Sequence, residues 1–371
     1  MKSRENALEV TKEPLAGSNL TNLIRLITQN RFRVNLRYVP RMLYSLIWST
    51  IMAPFYIAEK IRFDKAIEKA EIKHDPIFII GHWRTGTTYL HNLLSLDKNL
   101  GYFSTFHAYV PGVFLGSEKV FRPIVVYSIP EKRPMDDVLM DADLPQEEEY
   151  AVGAFSPYSY YNGWYFPRNM EFYNRFVCME DVPQKAIEEW KEVYLYLLKK
   201  VTLCRYGRRL VLKSPANTAR IKLLLEMFKD AKFIFIYRNP YHVYFSMMKF
   251  MKIVIPLYCV QKPPMIEETE KSMTELYTLM FKKYLKERRY IPEGNLVEVR
   301  YEDFIQQPFG ELKRIYAELN MEGFKESEKA FWEYIASQAS FERDKYEIND
   351  EIKQKIYKEW DFAFREFGYD K

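Results

Sequence analysis

The sequence has few cysteines and histidines, and neither residue type is spaced to hold a metal ion. The three cysteines, Cys178, Cys204 and Cys259, form no closely spaced pair, so they predict neither a disulfide framework nor a thiolate metal site. The five histidines are His74, His82, His91, His107 and His242. They include no His-x3-His pair and no facial-triad spacing, so we expect a protein of a reducing compartment that works without a bound transition metal.

A strong excess of charge is also missing. The 371 residues include 55 Lys and Arg and 50 Asp and Glu, which leaves a formal net charge of +5. A protein that coats nucleic acid usually carries far more positive charge, so we expect no nucleic-acid partner and only a local basic site. The first residues lack the charged, apolar and small-residue order of a secretory signal, so a cytoplasmic location is expected. No internal repeat or Gly/Ser linker divides the chain.

Long hydrophobic runs are scarce, and the one that stands out, residues 42–58, is short for a bilayer span. Its sequence, MLYSLIWSTIMAPFYIA, carries no charge and lies between Arg41 and Glu59. Pro54 would kink a helix here, and Trp and Tyr side chains suit a membrane interface. We therefore expect a helix that lies on the inner face of a membrane or covers an apolar pocket. A buried core helix fits the periodicity equally well.

Aromatic residues, in contrast, are abundant. They make up 16% of the chain, with 29 Tyr and 26 Phe. This content indicates either an unusually aromatic core or a large apolar pocket. Residues 155–166, 250–260 and 42–58 are the segments that could form the walls of such a pocket, and core packing explains them almost as well.

From residue 76 onward, apolar strands alternate with helices. The predicted strands are Ile77–Ile80, Leu210–Leu212, Phe233–Tyr237 and Leu296–Tyr301, and the predicted helices are Thr87–Leu96, Ala216–Phe228, Pro240–Phe250 and Ile266–Arg289. Continuous apolar strands require cover on both faces, so the predicted fold is α/β, with a P-loop-like parallel sheet flanked by helices. A helical N-terminal extension, 1–75, packs on a single domain, 76–371, that carries helical insertions. Ligands of such sheets bind beyond the carboxyl ends of the strands.

The strongest local signal is the loop Gly81–Thr88, with the sequence GHWRTGTT, which follows the first strand. Its glycines are five residues apart, as in a P-loop, and it leads into a helix whose free N–H groups and dipole favour phosphate. Thr87 occupies the position of the lysine of nucleoside triphosphatases, and Arg238 follows the later strand where a magnesium-binding aspartate would stand. The loop therefore predicts an anion site without the machinery for a γ-phosphate and Mg²⁺. A tight turn without a ligand is the alternative.

Cationic side chains stand at the ends of three strands. Arg84 lies in the loop, Lys213 ends the second strand and Arg238 follows the third. Parallel strands end at one edge of a sheet, so these cations should converge there. Ser246, eight residues after Arg238 and about two helical turns along, can reach the same anion. For Arg238 alone a surface ion pair is the alternative, and Tyr301 either binds a base or packs in the core.

These motifs resemble those of the sulfotransferases that use 3′-phosphoadenosine 5′-phosphosulfate, particularly the bacterial branch with R-[ST]-G-T-T in the phosphosulfate loop. The resemblance covers about residues 76–308 and rests on four separated motifs. It implies that the 5′-phosphosulfate binds at Arg84, Thr85, Gly86, Thr87 and Thr88. It further implies that Arg238 and Ser246 hold the 3′-phosphate and that Tyr89 and Tyr301 contact adenine. Lys213 corresponds to the lysine of the family's K-[STD]-[HP] motif.

The sequence departs from the animal cytosolic members of that family in two places. Pro215 stands where those enzymes have a catalytic histidine, two residues after the lysine, and their C-terminal Arg-Lys-Gly loop has no clear counterpart. The acceptor hydroxyl must still lose a proton. Our first candidate for the base is His107, near the position of a catalytic glutamate in the protein-tyrosine branch. The alternatives are Glu147 and Glu148, in a run that resembles an acidic motif of the bacterial branch. The alternative without a catalytic role is a buried core histidine for His107 and a solvated acidic surface for the glutamates.

The resemblance implies in-line transfer of a sulfuryl group from 3′-phosphoadenosine 5′-phosphosulfate to a hydroxyl, with Arg84 and Lys213 stabilising the developing charge without a metal. The apolar segments predict a lipophilic acceptor, such as a sterol, a bile-acid-like molecule or a lipid alcohol. Two alternatives remain: a nucleotide or small-molecule kinase on the same scaffold, and a catalytically inactive nucleotide-binding protein at the membrane.

Overall fold

A computed structural model describes residues 13–136, 138–339, 346 and 350–371. Within these residues, five strands form one sheet: β1 Ile77–Ile80, β2 Leu100–Gly101, β3 Arg209–Lys213, β4 Lys232–Tyr237 and β5 Leu296–Arg300. The strand order is β2-β3-β1-β4-β5, and every neighbouring pair is parallel. The strand that precedes the glycine loop, β1, is therefore central.

Helices make up most of the remaining described chain. They are α1 Leu20–Gln29, α2 Val39–Lys69, α3 Thr87–Leu94, α4 Thr105–Tyr109, α5 Glu118–Ser128, α6 Glu148–Phe155, α7 Asn162–Tyr165, α8 Met170–Cys178, α9 Gln184–Cys204, α10 Ile221–Met227, α11 Pro240–Tyr258, α12 Ile266–Glu287, α13 Tyr301–Gln306, α14 Pro308–Glu318, α15 Phe324–Ser337 and α16 Asp350–Phe367. Short 3-10 helices lie at Pro14–Gly17, Leu36–Tyr38, Pro167–Asn169, Pro215–Ala219 and Arg288–Tyr290.

The described chain divides into two compact units. The first runs from the start of the described residues to Ile72 and includes Phe103–Gly207 and Phe250–Thr269. The second, which contains the sheet, comprises Lys73–Tyr102, Arg208–Lys249 and Glu270–Lys371. The predicted boundary after residue 75 lies close to Ile72, whereas the prediction assigned the two later segments of the first unit to the α/β domain.

The sheet of the second unit is buried because its strands are continuous apolar runs. All four residues of β1 are completely buried, and so are the four central residues of β4. Ile79 belongs to one apolar cluster with Leu90 of α3 and Leu312 of α14. Full burial of such a side chain stabilises the fold by roughly 1.5–3 kcal/mol relative to an exposed one. This packing fixes the edge of the sheet at which the strands end.

Several predicted elements differ from the structure in their bounds. The single helix predicted for Ala216–Phe228 is a 3-10 helix followed by α10, because Arg220 adopts a non-helical conformation between them, with φ of −124°. The strand predicted to include Tyr301 ends at Arg300, and Tyr301 begins α13. The helix predicted to end at Phe250 continues to Tyr258.

The apolar segment 42–58 lies within α2 of the first unit, and Pro54 is inside that helix. Among the described helices, none combines the length and apolar character needed to cross a membrane. The helix exposes some of its apolar side chains and buries several of its polar ones. It is therefore neither a wholly buried core helix nor a spanning one.

Candidate active site

The loop between β1 and α3 depends on its two glycines. Gly81 has φ of +146° and Gly86 has φ of +97°, conformations that other residues rarely adopt. A Cβ on Gly81 would lie 2.3 Å from the carbonyl oxygen of Ile236, and one on Gly86 would lie 2.4 Å from the ring of Tyr301. The missing side chains therefore allow a strand backbone and an aromatic ring to touch the loop.

Two threonine hydroxyls hold the backbone of this loop in place. The Thr218 hydroxyl accepts a hydrogen bond from the Gly81 N–H at 2.7 Å and donates to the Gly81 carbonyl at 3.0 Å. The buried Thr85 hydroxyl donates to the carbonyl of His82 at 2.8 Å. The N–H groups in the first turn of α3, which begins at Thr87, have no acceptor within the helix. An anion at this helix terminus would receive those donors.

The predicted cations meet around the loop. The Nε of Arg84 donates to the Ser246 hydroxyl at 2.8 Å, and a terminal nitrogen of Arg238 donates to the Arg84 carbonyl at 3.1 Å. The Nζ of Lys213 lies 3.5 Å from the Thr88 hydroxyl, in the first turn of α3. The structure thus joins Arg84, Arg238 and Ser246 through hydrogen bonds and brings Lys213 to the helix N-terminus.

The conformation of Arg84 is itself unusual, with φ of +72°. A non-glycine residue in the left-handed region is strained, and such strain persists only where the surroundings enforce it. Here the contacts to Ser246 and Arg238 hold both the side chain and the carbonyl of Arg84. The guanidinium is therefore positioned before any ligand arrives.

Tyr301 and Arg238 form a second part of the site. The Arg238 guanidinium lies 4.5 Å from the centre of the Tyr301 ring, a distance typical of cation–π contacts. The Nε of Arg238 is buried and has no hydrogen-bond partner among the described residues. Because an unpaired buried donor is costly, this geometry suits an anionic ligand at Arg238. Tyr89 instead packs near Phe304 and Tyr334, with ring centres 5.3 and 6.0 Å away, and its contact with adenine stays a prediction.

Two neighbours of Arg238, His242 and Glu302, were not predicted as site residues from the sequence. His242 lies on α11, one helical turn before Ser246. Its pKa is lowered mainly by burial and also by the charge of Arg238. Glu302 accepts hydrogen bonds from the Asn239 N–H at 3.1 Å and from the Tyr369 hydroxyl at 2.6 Å. The four-residue spacing to the serine could have indicated His242, whereas no local pattern links Tyr369 to this turn.

The predicted base His107 lies in the first unit and caps a helix. Its Nδ1 accepts a hydrogen bond from the Ser104 N–H at 3.2 Å, while the Ser104 hydroxyl accepts one from the His107 N–H at 3.3 Å. This is a capping box at the start of α4. Burial, assisted by nearby cations, lowers the pKa of His107 to about 3. The ring is therefore neutral, with its proton on Nε2, which lies 3.5 Å from the Sγ of Cys204.

The other predicted bases also belong to the first unit. Glu148 is buried in α6 and accepts a hydrogen bond from the Tyr194 hydroxyl at 3.0 Å, and Glu149 accepts one from the Ser159 hydroxyl at 2.8 Å. Glu147 is the N-cap residue of α6 and is also buried. The interpretation of this run as a solvated surface is therefore wrong. Nowhere in the described chain do three or more His, Cys, Asp or Glu side chains form a group that could hold a metal ion.

Comparisons with known proteins show the family to which the chain belongs. The profile of the sulfotransferase family matches residues 76–326, a range that includes the glycine loop, Lys213, Arg238 and Tyr301. The chain is 31% identical over 359 residues to the omega-hydroxy-beta-dihydromenaquinone-9 sulfotransferase Stf3 of Mycobacterium bovis, which covers 96% of this chain and 91% of the relative. The family resemblance predicted from the motifs is confirmed.

Solved structures of the same kind share the fold. Sulfotransferase STF1 from Mycobacterium tuberculosis H37Rv matches with a TM-score of 0.66 and 16% identity, over 92% of this chain and 91% of that one. Sulfotransferase STF9 from Mycobacterium avium matches with a TM-score of 0.66 and 15% identity, over 95% and 97% of the two chains. They confirm the predicted α/β fold.

Proposed function

Because the chain belongs to the sulfotransferase family, we propose that it transfers a sulfuryl group from 3′-phosphoadenosine 5′-phosphosulfate to a hydroxyl of a lipophilic small molecule. One observation carries the choice of donor: Arg84, Lys213 and Arg238 converge on a phosphate-type loop. Thr87 of this loop replaces the lysine of nucleoside triphosphatases. A donor with anionic groups at both its 5′ and 3′ positions matches such a spread of cations.

In the proposed complex, the 5′-phosphosulfate lies at the N-terminus of α3. The N–H groups of the first helical turn, the hydroxyls of Thr87 and Thr88 and the Arg84 and Lys213 cations would bind it. The 3′-phosphate lies at Arg238 and Ser246, where the buried Nε of Arg238 supports an anionic ligand. The proposed adenine contacts are Tyr301 and Tyr89. Tyr301 can lie against the loop because Gly86 has no side chain.

The proposed chemistry is an in-line displacement at sulfur. The acceptor oxygen forms a new bond to sulfur while the bond from sulfur to the bridging phosphate oxygen breaks, which leaves adenosine 3′,5′-bisphosphate. Arg84 and Lys213 stabilise the negative charge on the bridging oxygen and on the sulfonate oxygens. Because Arg84 is held in advance by Ser246 and Arg238, its contribution needs little reorganisation during the reaction.

The acceptor proton passes to a base, and the hydrogen bonds of the first unit favour a carboxylate over His107. The Nδ1 of His107 already accepts a backbone hydrogen bond, and Nε2 carries the proton, so the ring offers no free acceptor. Glu147 and Glu148 therefore become the preferred bases of this proposal, since a carboxylate can accept a proton from a bound hydroxyl.

A lipid alcohol is the acceptor class that we favour among those predicted. The relative Stf3 is named for a hydroxylated dihydromenaquinone, which is an apolar acceptor. The first unit also contains a largely apolar cavity, whose wall includes Trp48 and Met52 of α2 and Phe121 and Val125 of α5. Apolar cavities with few polar groups are typical of small-molecule sites.

An acceptor screen tests this proposal. The purified protein is incubated with sulfur-labelled donor and a panel of lipid alcohols, sterols and phenols, and both labelled product and bisphosphate are measured. We expect product with a lipid alcohol and bisphosphate release that depends on the acceptor. Bisphosphate binding without turnover on any acceptor would support the inactive nucleotide-binding alternative, and transfer from ATP would support a kinase.

A further inference from the structure

Helix α2 in the first unit buries several polar side chains and exposes several large apolar ones. Its buried polar residues are Arg41, Ser45, Ser49 and Glu59. Its exposed apolar residues, which we call the apolar strip, are Leu43, Ile47, Ile51, Ile57 and Ile61. Ile47 is 58% exposed and Ile51 is 46% exposed. A surface helix of a water-soluble domain normally shows the opposite arrangement.

Specific contacts on the buried side fix this orientation. The Arg41 guanidinium donates to the carbonyls of Pro256 and Cys259 at 2.8 and 3.0 Å. The Glu59 carboxylate forms a buried ion pair with Lys200 and accepts a hydrogen bond from the Gly116 N–H at 2.6 Å. Rolling the helix to bury its isoleucines would leave these charges unpaired, at a cost of several kcal/mol. The exposure of the apolar strip is thus imposed by the fold.

The apolar strip follows one side of the helix. Leu43, Ile47 and Ile51 follow one another at intervals of four residues, and after a step of six residues Ile57 and Ile61 repeat that interval. At 100° and 1.5 Å per residue, the strip occupies an arc of about 120° and a length of about 27 Å. An arc of this width matches the apolar face of an amphipathic helix, and a helix with an exposed face of this kind is suited to lie in the plane of a membrane interface.

The charge on the N-terminal side of the apolar strip has one sign. Residues 14–58 contain five arginines and no aspartate or glutamate, and these arginines are Arg25, Arg31, Arg33, Arg37 and Arg41. Arg25 pairs with Glu189, and Arg41 is buried. The other three lie exposed in the segment between α1 and α2, residues 31–37, which we call the basic turn. Phe32 and Leu36 alternate with them and are 71% and 91% exposed.

We propose that the apolar strip and the basic turn dock on an anionic phospholipid bilayer, with α2 lying in the interface. Exposed arginines match anionic headgroups, while the alternating Phe32 and Leu36 and the isoleucines of the strip match the acyl region beneath. A basic surface of this kind binds a negatively charged membrane more strongly than a neutral one. The docking rests on this surface alone and does not depend on the proposed donor.

The apolar cavity described above adjoins the same helix. Tyr44 and Trp48 directly follow Leu43 and Ile47 of the apolar strip in the sequence. Together with Ile124 of α5 they line the cavity. The α5 helix also exposes Val126 and Tyr127. Docking would therefore place the helices that line the cavity against the bilayer, where a lipid alcohol dissolves. This last step rests on the acceptor class proposed above.

Vesicle flotation of the full chain tests the docking. Vesicles of phosphatidylcholine alone are compared with vesicles that also contain phosphatidylglycerol, at low and high salt. We expect the protein to float with the anionic vesicles, less with neutral ones, and less at high salt. The double variant Ile47→Glu with Ile51→Glu should bind at least tenfold more weakly. Replacing the basic-turn arginines with glutamine should weaken binding by about fivefold per arginine.

The matched control is Leu279→Glu on α12, because Leu279 is 51% exposed and lies in the second unit. It should bind vesicles as the unchanged protein does. Affinity for adenosine 3′,5′-bisphosphate is measured for every variant, so that loss of docking is distinguished from unfolding and from failure of the proposed donor site.

If the double variant does not fold, the glutamine variants, which alter only exposed side chains, decide. Absence of binding to anionic vesicles, or retained binding in the variants, would overturn the proposal. Conversion of a dimer to a monomer by the double variant, without vesicle binding, would assign this surface to a second copy of the chain.

Discussion

The sheet of the second unit and helix α2 of the first unit distribute polar and apolar side chains differently. In the second unit, apolar strands such as Ile77–Ile80 are buried, and the cations Arg84, Lys213 and Arg238 gather where strands end. In the first unit, α2 buries Glu59 in an ion pair and exposes Ile47 to solvent. Clustered cations therefore mark the proposed ligand site in one unit, and clustered exposed apolar side chains mark the proposed docking surface in the other.

This difference shows which structural features local sequence patterns can predict and which they cannot. The pattern of the second unit follows the general rule for parallel sheets, so its exceptions, the glycines and cations, indicate a site. In the first unit the buried charges depend on partners far along the chain, such as Lys200 for Glu59. The following predictions test the two halves of this comparison, beginning with the largest expected effect.

Arg84→Ala tests the cationic edge of the sheet. Removing the guanidinium should lower turnover at saturating donor by at least a hundredfold, because it takes away charge stabilisation at the reacting group. Release of bisphosphate is the measurement. Arg314→Ala is the control, since Arg314 pairs with Glu311 and Glu318 at the surface and should keep full activity. Unchanged turnover in Arg84→Ala would remove its assigned role.

Gly86→Ala tests the close approach of Tyr301 to the loop. The new methyl group would meet the ring at 2.4 Å and sit on a backbone with φ of +97°. We expect it to lower the free energy of unfolding by about 2–4 kcal/mol, from overpacking and backbone strain together. Gly294→Ala, with φ of +80° and nothing within 4 Å of the added Cβ, should lose only about 1–2 kcal/mol. Urea denaturation compares the two, and equal losses would show that the ring contact is unimportant.

Glu13→Gln tests the buried polar groups of the first unit. Burial raises the pKa of Glu13 to about 8, even though Arg41 opposes the shift. The folded protein therefore holds this proton more tightly than the unfolded chain, so its contribution to stability is complete at low pH and is lost as the pH rises through about 8. We expect stability to fall with pH in the unchanged protein by up to about 1.4 kcal/mol per pH unit from this group. The free energy of unfolding of Glu13→Gln, measured by denaturation at several pH values, should lack this decrease. A pH profile identical to that of the unchanged protein would contradict the prediction.

His107→Gln should have the smallest effect. Glutamine at this position of a capping box can make the same hydrogen bond to the Ser104 N–H, so stability and turnover should remain close to normal. Glu147→Gln and Glu148→Gln are the comparison, and the one that removes the base should lower turnover by about 10²–10⁴-fold. If His107→Gln instead loses turnover while it still binds bisphosphate, the histidine is the base.

Much of the second unit could be predicted from the sequence. The strand bounds and the alternation with helices placed Lys213 and Arg238 at one edge, and the glycine spacing located the loop between β1 and α3 to which we assign anion binding. The contact between Glu302 and Tyr369 could not be predicted, because it joins residues 67 positions apart. The orientation of α2 could not be predicted either: residues 42–58 carry no charge on any side, and the partners of the flanking Arg41 and Glu59 determine which face is buried.

The most direct test of the proposed donor site is calorimetric titration with three nucleotides: adenosine 3′,5′-bisphosphate, adenosine 5′-phosphate and ATP with Mg²⁺. We predict that the bisphosphate binds most tightly and that Arg238→Ala abolishes its advantage over the 5′-phosphate, because Arg238 is the proposed partner of the 3′-phosphate. Tight binding of ATP with Mg²⁺ and none of the bisphosphate would contradict the sulfuryl-transfer function.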